Sequence, residues 1–307
     1  MNNLTLLTLC EGPYHLGVAA LINSAIRAGF QGRVRVHYRG TIPPWTVSLQ
    51  RVGEGSFSVE GCTLDFRRST ERRHFSFHKP FAALEAFAAD PDCDGVIYAD
   101  PDVVFLAPWE FIGEWLEAGV ALCLDSSFPF IFHRHPWREV WRRLISQTAG
   151  AEPIEDHAPI YANSGFFGVL RRDIEFLDRW VDLTRGFETQ GGDTAKFCQE
   201  ERHRAIICDQ DLLAATLMLW PGEVSALGPE GMGFNDCFLV LVHDVESPKP
   251  WVRRFLMEAL VGRKPTAGSS FYLKFCDAPI AGLAWWTVLR KKFSFRCAEL
   301  ITMVWKR

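Results

Sequence analysis

The sequence predicts an α/β protein built on a mainly parallel sheet, and three observations carry that reading. An apolar run from Leu4 to Cys10 is followed by a helical apolar pattern from Leu16 to Ala28. Val34, Val36 and Tyr38 then alternate with Arg and His, so the chain opens strand, helix, strand. Further on, the apolar runs Gly95 to Ala99 and Val120 to Leu124 each stop at an acidic residue, Asp100 and Asp125. Ligands in open α/β sheets bind beyond strand ends of this kind.

The remaining elements follow in order. Ser56 to Glu60 and Cys62 to Phe66 flank Gly61 and read as a hairpin. Pro80 to Ala89 reads as a helix with the proline at its start. Phe111 to Glu117 is a short helix, and Trp137 to Gln147 a longer one rich in arginine. Tyr161 to Leu170 reads as strand, turn, strand, with the turn at Asn163-Ser164-Gly165, and an amphipathic helix spans Asp173 to Thr184. After a polar loop over 186–204, Ile206 to Leu219 is a helix with Asp209, Gln210 and Asp211 in its first turn. Phe238 to Val242 is a strand ending at His243, and Trp251 to Leu260 a helix. The body to residue 265 reads as one catalytic domain. Residues 266–307, where aromatic and basic side chains crowd together, read as a tail.

Composition excludes several classes. With 307 residues, 48% hydrophobic and 23% charged, the chain has the material for a sizeable core and is not disordered. A net charge of −4 makes no case for nucleic acid as a partner. The 9 cysteines contain no Cys-x-x-Cys pair, which argues against a disulfide framework or a structural zinc and for free thiols in a reducing compartment. The first residues lack a basic region before a short apolar run, so they read as a strand and not as a leader. No apolar stretch approaches the roughly 20 residues that span a bilayer. The expected location is cytoplasmic.

Three polar groups stand at strand ends. Asp100 and Asp102 flank Pro101, and two carboxylates one residue apart repel unless a cation sits between them; Asp-Pro-Asp is also good turn chemistry. His243 is followed by Lys249, which is held between two prolines and suits a phosphate; a structural histidine and a solvated lysine are the plainer readings. Asn163, Ser164 and Gly165, with Asp209 and Gln210, offer donors and acceptors for sugar hydroxyls; a turn and a helix cap account for the same residues.

Taken in order, YADPDVVF, YANSGFFGV, DQDLL and HDVESPKPW resemble the motifs of glycosyltransferase family 8, over about residues 4 to 260. The resemblance implies a GT-A fold, a Rossmann-like mixed sheet flanked by helices. It implies a retaining hexosyl transfer from UDP-galactose or UDP-glucose to a saccharide or glycolipid, in surface polysaccharide or lipopolysaccharide synthesis. Asp100, Asp102 and His243 are then the ligands of Mn²⁺, with Mg²⁺ as second choice, and Lys249 grips the diphosphate. Tyr14, six residues after Thr8, packs on the uracil, and Lys79 is a basic donor-binding residue. Asn163, Ser164, Gly165, Asp209 and Gln210 surround the transferred sugar, and Asp125 touches sugar or acceptor. Three departures stand out: Glu246 replaces a family glycine, Pro101 is the middle residue of Asp-x-Asp, and Lys79 is further from Asp100 than in the family, which implies an insertion near 89–94. A sugar nucleotidyltransferase and a catalytically weak nucleotide-sugar binder are the competing readings. Trp285, Trp286, Phe293, Phe295 and Trp305 lie among Arg290, Lys291, Lys292, Arg296, Lys306 and Arg307, which suits a helix on an anionic membrane face or one docked on the protein.

Overall fold

A computed structural model describes residues 3–154, 158–197, 205, 206, 208–235, 237 and 240–304. In chain order the strands are β1 (Leu4–Glu11), β2 (Arg33–Arg39), β3 (Gln50–Gly53), β4 (Ser56–Val59), β5 (Cys62–Arg68) and β6 (Gly95–Ala99). They continue with β7 (Val103–Phe105), β8 (Val120–Leu124), β9 (Ala162–Leu170), β10 (Val224–Leu227) and β11 (Leu241–His243). The helices are α1 (His15–Arg27), α2 (Phe75–Ala89), α3 (Trp109–Glu117), α4 (Pro136–Ala149) and α5 (Glu175–Thr189). After them come α6 (Asp209–Leu217), α7 (Phe255–Leu260), α8 (Ala267–Phe275) and α9 (Trp285–Val304). The protein is α/β, with a large mixed central sheet flanked by helices in a Rossmann-like arrangement.

The chain divides into two compact units, the first comprising residues 1–9, 69–99 and 111–229. Its strands follow the order β10-β8-β9-β6-β1, with β1 parallel to β6 and β10 parallel to β8. β9 is antiparallel to both its neighbours. Leu4 to Cys10 of β1 is buried throughout, as a strand covered on both faces must be. The core gathers Leu7, Phe87, Tyr98, Phe167, Trp141, Trp180 and Leu213 between the strands and α2, α4, α5 and α6.

Several elements of this unit differ from the sequence reading: β10 was not expected, α5 runs on to Thr189, α6 spans only Asp209–Leu217, and two further differences have a local cause. α2 begins at Phe75, five residues before Pro80, because the His74 side chain caps it by accepting from Ser76 N–H. Pro80 therefore lies inside the helix, where its missing N–H leaves the Ser76 carbonyl without its usual helical donor. Tyr161 to Leu170 holds no turn: Ala162–Leu170 is one strand, wholly buried. Leu122 faces Phe167 but Leu124 faces Ala162, so β9 spends five residues where β8 spends two. The three extra residues are accommodated as a bulge, and Gly165 N–H is held by Asn163 Oδ1 at 2.9 Å.

The second unit comprises residues 10–68, 100–110 and 230–307. β2 pairs in parallel with β5, and β5, β4 and β3 form an antiparallel meander. β4 and β5 are the expected hairpin, and the Glu60-Gly61 turn between them takes positive φ at both residues. β11 pairs antiparallel with β7. A separate core joins Ala20, Val104, Val242, Trp251, Phe255, Tyr272, Phe275, Val288, Phe295 and Ala298. Residues 266–304 thus supply α8 and α9 to this unit; Trp305, Lys306 and Arg307 lie outside the described residues.

α9 has two apolar faces. Val288, Phe295, Ala298 and Thr302 are buried, while Trp285 (69% exposed), Trp286, Leu289, Phe293 (68% exposed), Leu300, Met303 and Val304 are exposed. At 3.6 residues per turn the exposed set falls within an arc of about 100°. Among the described residues no helix is long and apolar enough to cross a membrane.

Asn23 of α1 fastens the end of α8. Its Nδ2 donates to Phe275 O and Ile280 O at 2.7 and 2.8 Å, and its Oδ1 accepts from Ile280 N–H at 2.8 Å, all buried. Asn23→Ala strands three buried backbone groups, so we expect a loss of about 3 kcal/mol. Urea unfolding measures it; a midpoint equal to the parent's would show that the clamp carries no stability.

Candidate metal centre and polar cluster

In the second unit, Asp100 and Asp102 sit on a turn leading into β7. Val103 N–H closes that turn on Asp100 O at 3.0 Å, so Pro101 occupies the second turn position, where a fixed φ helps and no N–H is needed. The proline in Asp-x-Asp is thereby accounted for. β11 runs antiparallel to β7 with His243 opposite Val103, and Asp244 N–H extends the ladder to Asp102 O at 3.0 Å. This pairing carries the imidazole to the carboxylates: His243 Nε2 is 3.2 Å from Asp102 Oδ1 and 3.9 Å from Asp100 Oδ2.

One ligand atom from each of Asp100, Asp102 and His243 lies within 4.8 Å of the others. Lys249 Nζ is 2.6 Å from Asp102 Oδ2 and also donates to Asp244 O. Burial alone would raise the Asp102 carboxyl, but His243 and Lys249 hold it well below the usual carboxylate range. It is therefore ionised and ready to ligate. Two hard carboxylates and an imidazole suit a divalent ion such as Mn²⁺. His243 Nδ1 is buried with no hydrogen-bond partner among the described residues, and Nε2 is the ring nitrogen that faces the carboxylates.

Tyr14 stands edge-on to Trp251, with ring centroids 5.3 Å apart. Burial raises its hydroxyl; Lys249 opposes the shift, while Asp102 and Asp100 add to it, so the ring belongs to this electrostatic neighbourhood. Gly17 was not anticipated from the sequence. A Cβ there would stand 2.1 Å from Pro101 O and 2.8 Å from the Trp251 ring, so only glycine lets α1 lie against the Asp-Pro-Asp turn. A glycine inside a predicted helix was the available signal. Glu246 accepts from Arg253 Nη2 at 3.0 Å, and it shares that cation with Glu258, whose Oε2 is 3.2 Å from Arg253 Nε.

The first unit assembles a second group. Asp125 Oδ2 accepts from Asn163 Nδ2 at 3.2 Å and Gln210 Nε2 at 3.1 Å, while its Oδ1 accepts from Ser127 and Phe128 N–H. Gln210 Oε1 accepts from Ser164 N–H at 3.4 Å. Lys79 is buried, donates to Ser164 O at 3.0 Å, and pairs with Asp209 Oδ2 at 3.1 Å. The ion pair is close but not aligned as a hydrogen bond, since Asp209 Oδ2 has no such partner. Lys79, Asp125, Asn163, Ser164, Gly165, Asp209 and Gln210 thus form one cluster. Capping falls to Asp211, which accepts from Cys208 N–H and from Tyr161 Oη, and so leaves Asp209 and Gln210 to other partners. Burial, with Asp211 beside it, pushes the Tyr161 hydroxyl far up, so it remains a donor. Thr8 is also in this unit, fully buried, and its hydroxyl has no hydrogen-bond partner among the described residues.

Asp102→Asn and His243→Ala should each weaken Mn²⁺ binding by more than about tenfold, or 1.4 kcal/mol, with the fold retained. Metal titration alongside circular dichroism checks both, and unchanged affinity in either variant removes that residue from the centre.

Compared with protein-family models and with curated proteins, the chain matches none.

Proposed function

We propose that the chain is a retaining, Mn²⁺-dependent glycosyltransferase of the family 8 type, with a GT-A fold and a UDP-hexose donor, and that it works in the cytoplasm. The observation that supports this most is the convergence of Asp100, Asp102 and His243, with Lys249 against Asp102. A bound divalent ion supplies charge neutralisation to the departing diphosphate. Lys249 adds a fixed ammonium for the same negative charge, which grows as the glycosidic bond breaks. Tyr14 offers its ring to the base. Asp209, Gln210 and Asn163 are assigned to the sugar, where a carboxylate and two amides bind hydroxyls and offset positive charge at the anomeric carbon. Gln210 is a poor nucleophile, so retention is assigned to attack by the acceptor on the leaving-group face.

A weak nucleotide-sugar binder is the second reading, and its motive was the carboxylate of Glu246 beside a diphosphate. Arg253 compensates that carboxylate, which favours an active enzyme. A panel of UDP-sugars with Mn²⁺, read as UDP release and as anomeric configuration by proton NMR, tests the proposal. UDP-galactose or UDP-glucose should turn over with an α-linked product. A β-linked product ends the retaining mechanism, and no release from any sugar ends the enzyme reading.

The proposed acceptor is a glycolipid of surface polysaccharide or lipopolysaccharide synthesis, and the proposed partner surface is an anionic bilayer met by α9. Arg296 lies within the exposed apolar arc of that helix, and Arg290 and Glu299 each lie about 40° outside it, on opposite sides. Truncation before α9 would remove buried Val288, Phe295 and Ala298, so a surface variant is the cleaner test. Full-length protein should pellet with anionic vesicles at low salt, and the triple variant Trp285→Ser, Trp286→Ser, Phe293→Ser should stay in solution. Equal sedimentation of the two excludes the membrane role.

A further inference from the structure

The residues that steady the cation ligands lie further down the chain than any ligand. Asp244 follows His243 and is joined to the other two working groups through its backbone: its N–H donates to Asp102 O and its carbonyl accepts from Lys249 Nζ. Its side chain is buried and accepts from Ser269 Oγ at 3.2 Å. Ser269 is held in turn, since its N–H donates to Thr266 Oγ1 at 3.0 Å and its Oγ accepts from the Thr266 hydroxyl at 2.8 Å. Arg253 Nη1 reaches both hydroxyls, at 3.2 and 3.3 Å. The side-chain donors run in one direction, from Arg253 and Thr266 to Ser269 and from Ser269 to Asp244.

Gly268 completes the bracket from the first turn of α8. A Cβ there would stand 2.8 Å from both Cβ and Cγ of Asp244, inside any normal carbon contact. Burial raises the Asp244 carboxyl, and Lys249 and Arg253 oppose that shift. The packing allows this side chain little room, and the hydroxyl chain specifies where it sits. If Asp244 moves, Lys249 loses its carbonyl acceptor while keeping its ion pair with Asp102. The ammonium, already paired with Asp102, then has one partner fewer and competes more strongly with a cation for the same carboxylate.

We propose that Asp244, Gly268 and Ser269 are positioning residues of the cation and diphosphate centre, so that the start of α8 sets the affinity of ligands that all precede it. The inference rests on the metal-dependent reading above. The test is direct Mn²⁺ titration and UDP titration of the full chain, without any transfer assay, together with thermal melts in EDTA. Gly268→Ala should weaken Mn²⁺ about tenfold, the scale of losing an outer partner of a metal ligand. Ser269→Ala should weaken it several-fold, and Ser269→Thr, which keeps the hydroxyl, should restore it. The melts in EDTA should stay near the parent's for both Ser269 variants. Parent-like Mn²⁺ affinity in Gly268→Ala and Ser269→Ala overturns the proposal while leaving the metal reading intact. If Gly268→Ala does not fold, the Ser269 pair decides, and equal affinities for Ala and Thr overturn it. A parent chain that binds no Mn²⁺ overturns the metal reading, and this inference with it.

Discussion

The second unit depends on one short pairing, the antiparallel contact of β7 with β11. Three residues on each side place His243 opposite Val103 and so bring the imidazole to Asp100 and Asp102. Two carboxylates this close repel each other, and a chain of this size has only about 5–15 kcal/mol of stability to set against such terms. The imidazole and Lys249 offset that repulsion within the protein itself. A three-residue ladder is too short to be stable alone. It is held by its surroundings: the Asp102–Asp244 backbone bond, the close approach of α1 at Gly17, and the core of Val104, Val242 and Trp251 behind it.

The first unit solves a different problem. Its polar cluster is buried, so each group needs a partner or it destabilises the fold. Asp125 meets this need at the centre by accepting from four donors, two amide side chains and two backbone N–H groups. Lys79 answers Asp209, and neither charge is left alone. The amides of Asn163 and Gln210 are thereby fixed in orientation, so a ligand bound there would meet groups already ordered. The β9 bulge is what frees Asn163, Ser164 and Gly165 from ordinary ladder pairing with β8.

Much of this was legible in the sequence, because buried strands announce themselves as apolar runs and β1, β6 and β8 are such runs. The positions of Asp100, Asp102 and His243 at strand ends were also legible, since each follows an apolar strand or stands on its turn. What was not legible depended on contacts distant in sequence. The Asn163-Ser164-Gly165 segment has turn composition, and only its neighbours on both sides make it a strand. Lys79 read as a basic donor-binding residue, and its ion pair was not legible because its partner Asp209 lies 130 positions later. Glu246 looked out of place until Arg253 was seen to take its charge, a pairing that needs the local fold between them. α9 showed an undivided mixture of aromatic and basic residues, and only the docked stripe of Val288, Phe295 and Ala298 separates its two faces.

The order in which these parts leave the ribosome has a consequence for the growing chain. Asp100 and Asp102 are made early, His243 and Lys249 long after them, and Ser269, which holds Asp244 beside them, later still. Over most of synthesis the two carboxylates have neither imidazole nor ammonium to answer them. Loop closure over such separations is slow and is rewarded only once the last partner is present. A divalent ion held at this centre would therefore need the nearly complete chain, and binding only that form it would favour finished molecules over arrested ones.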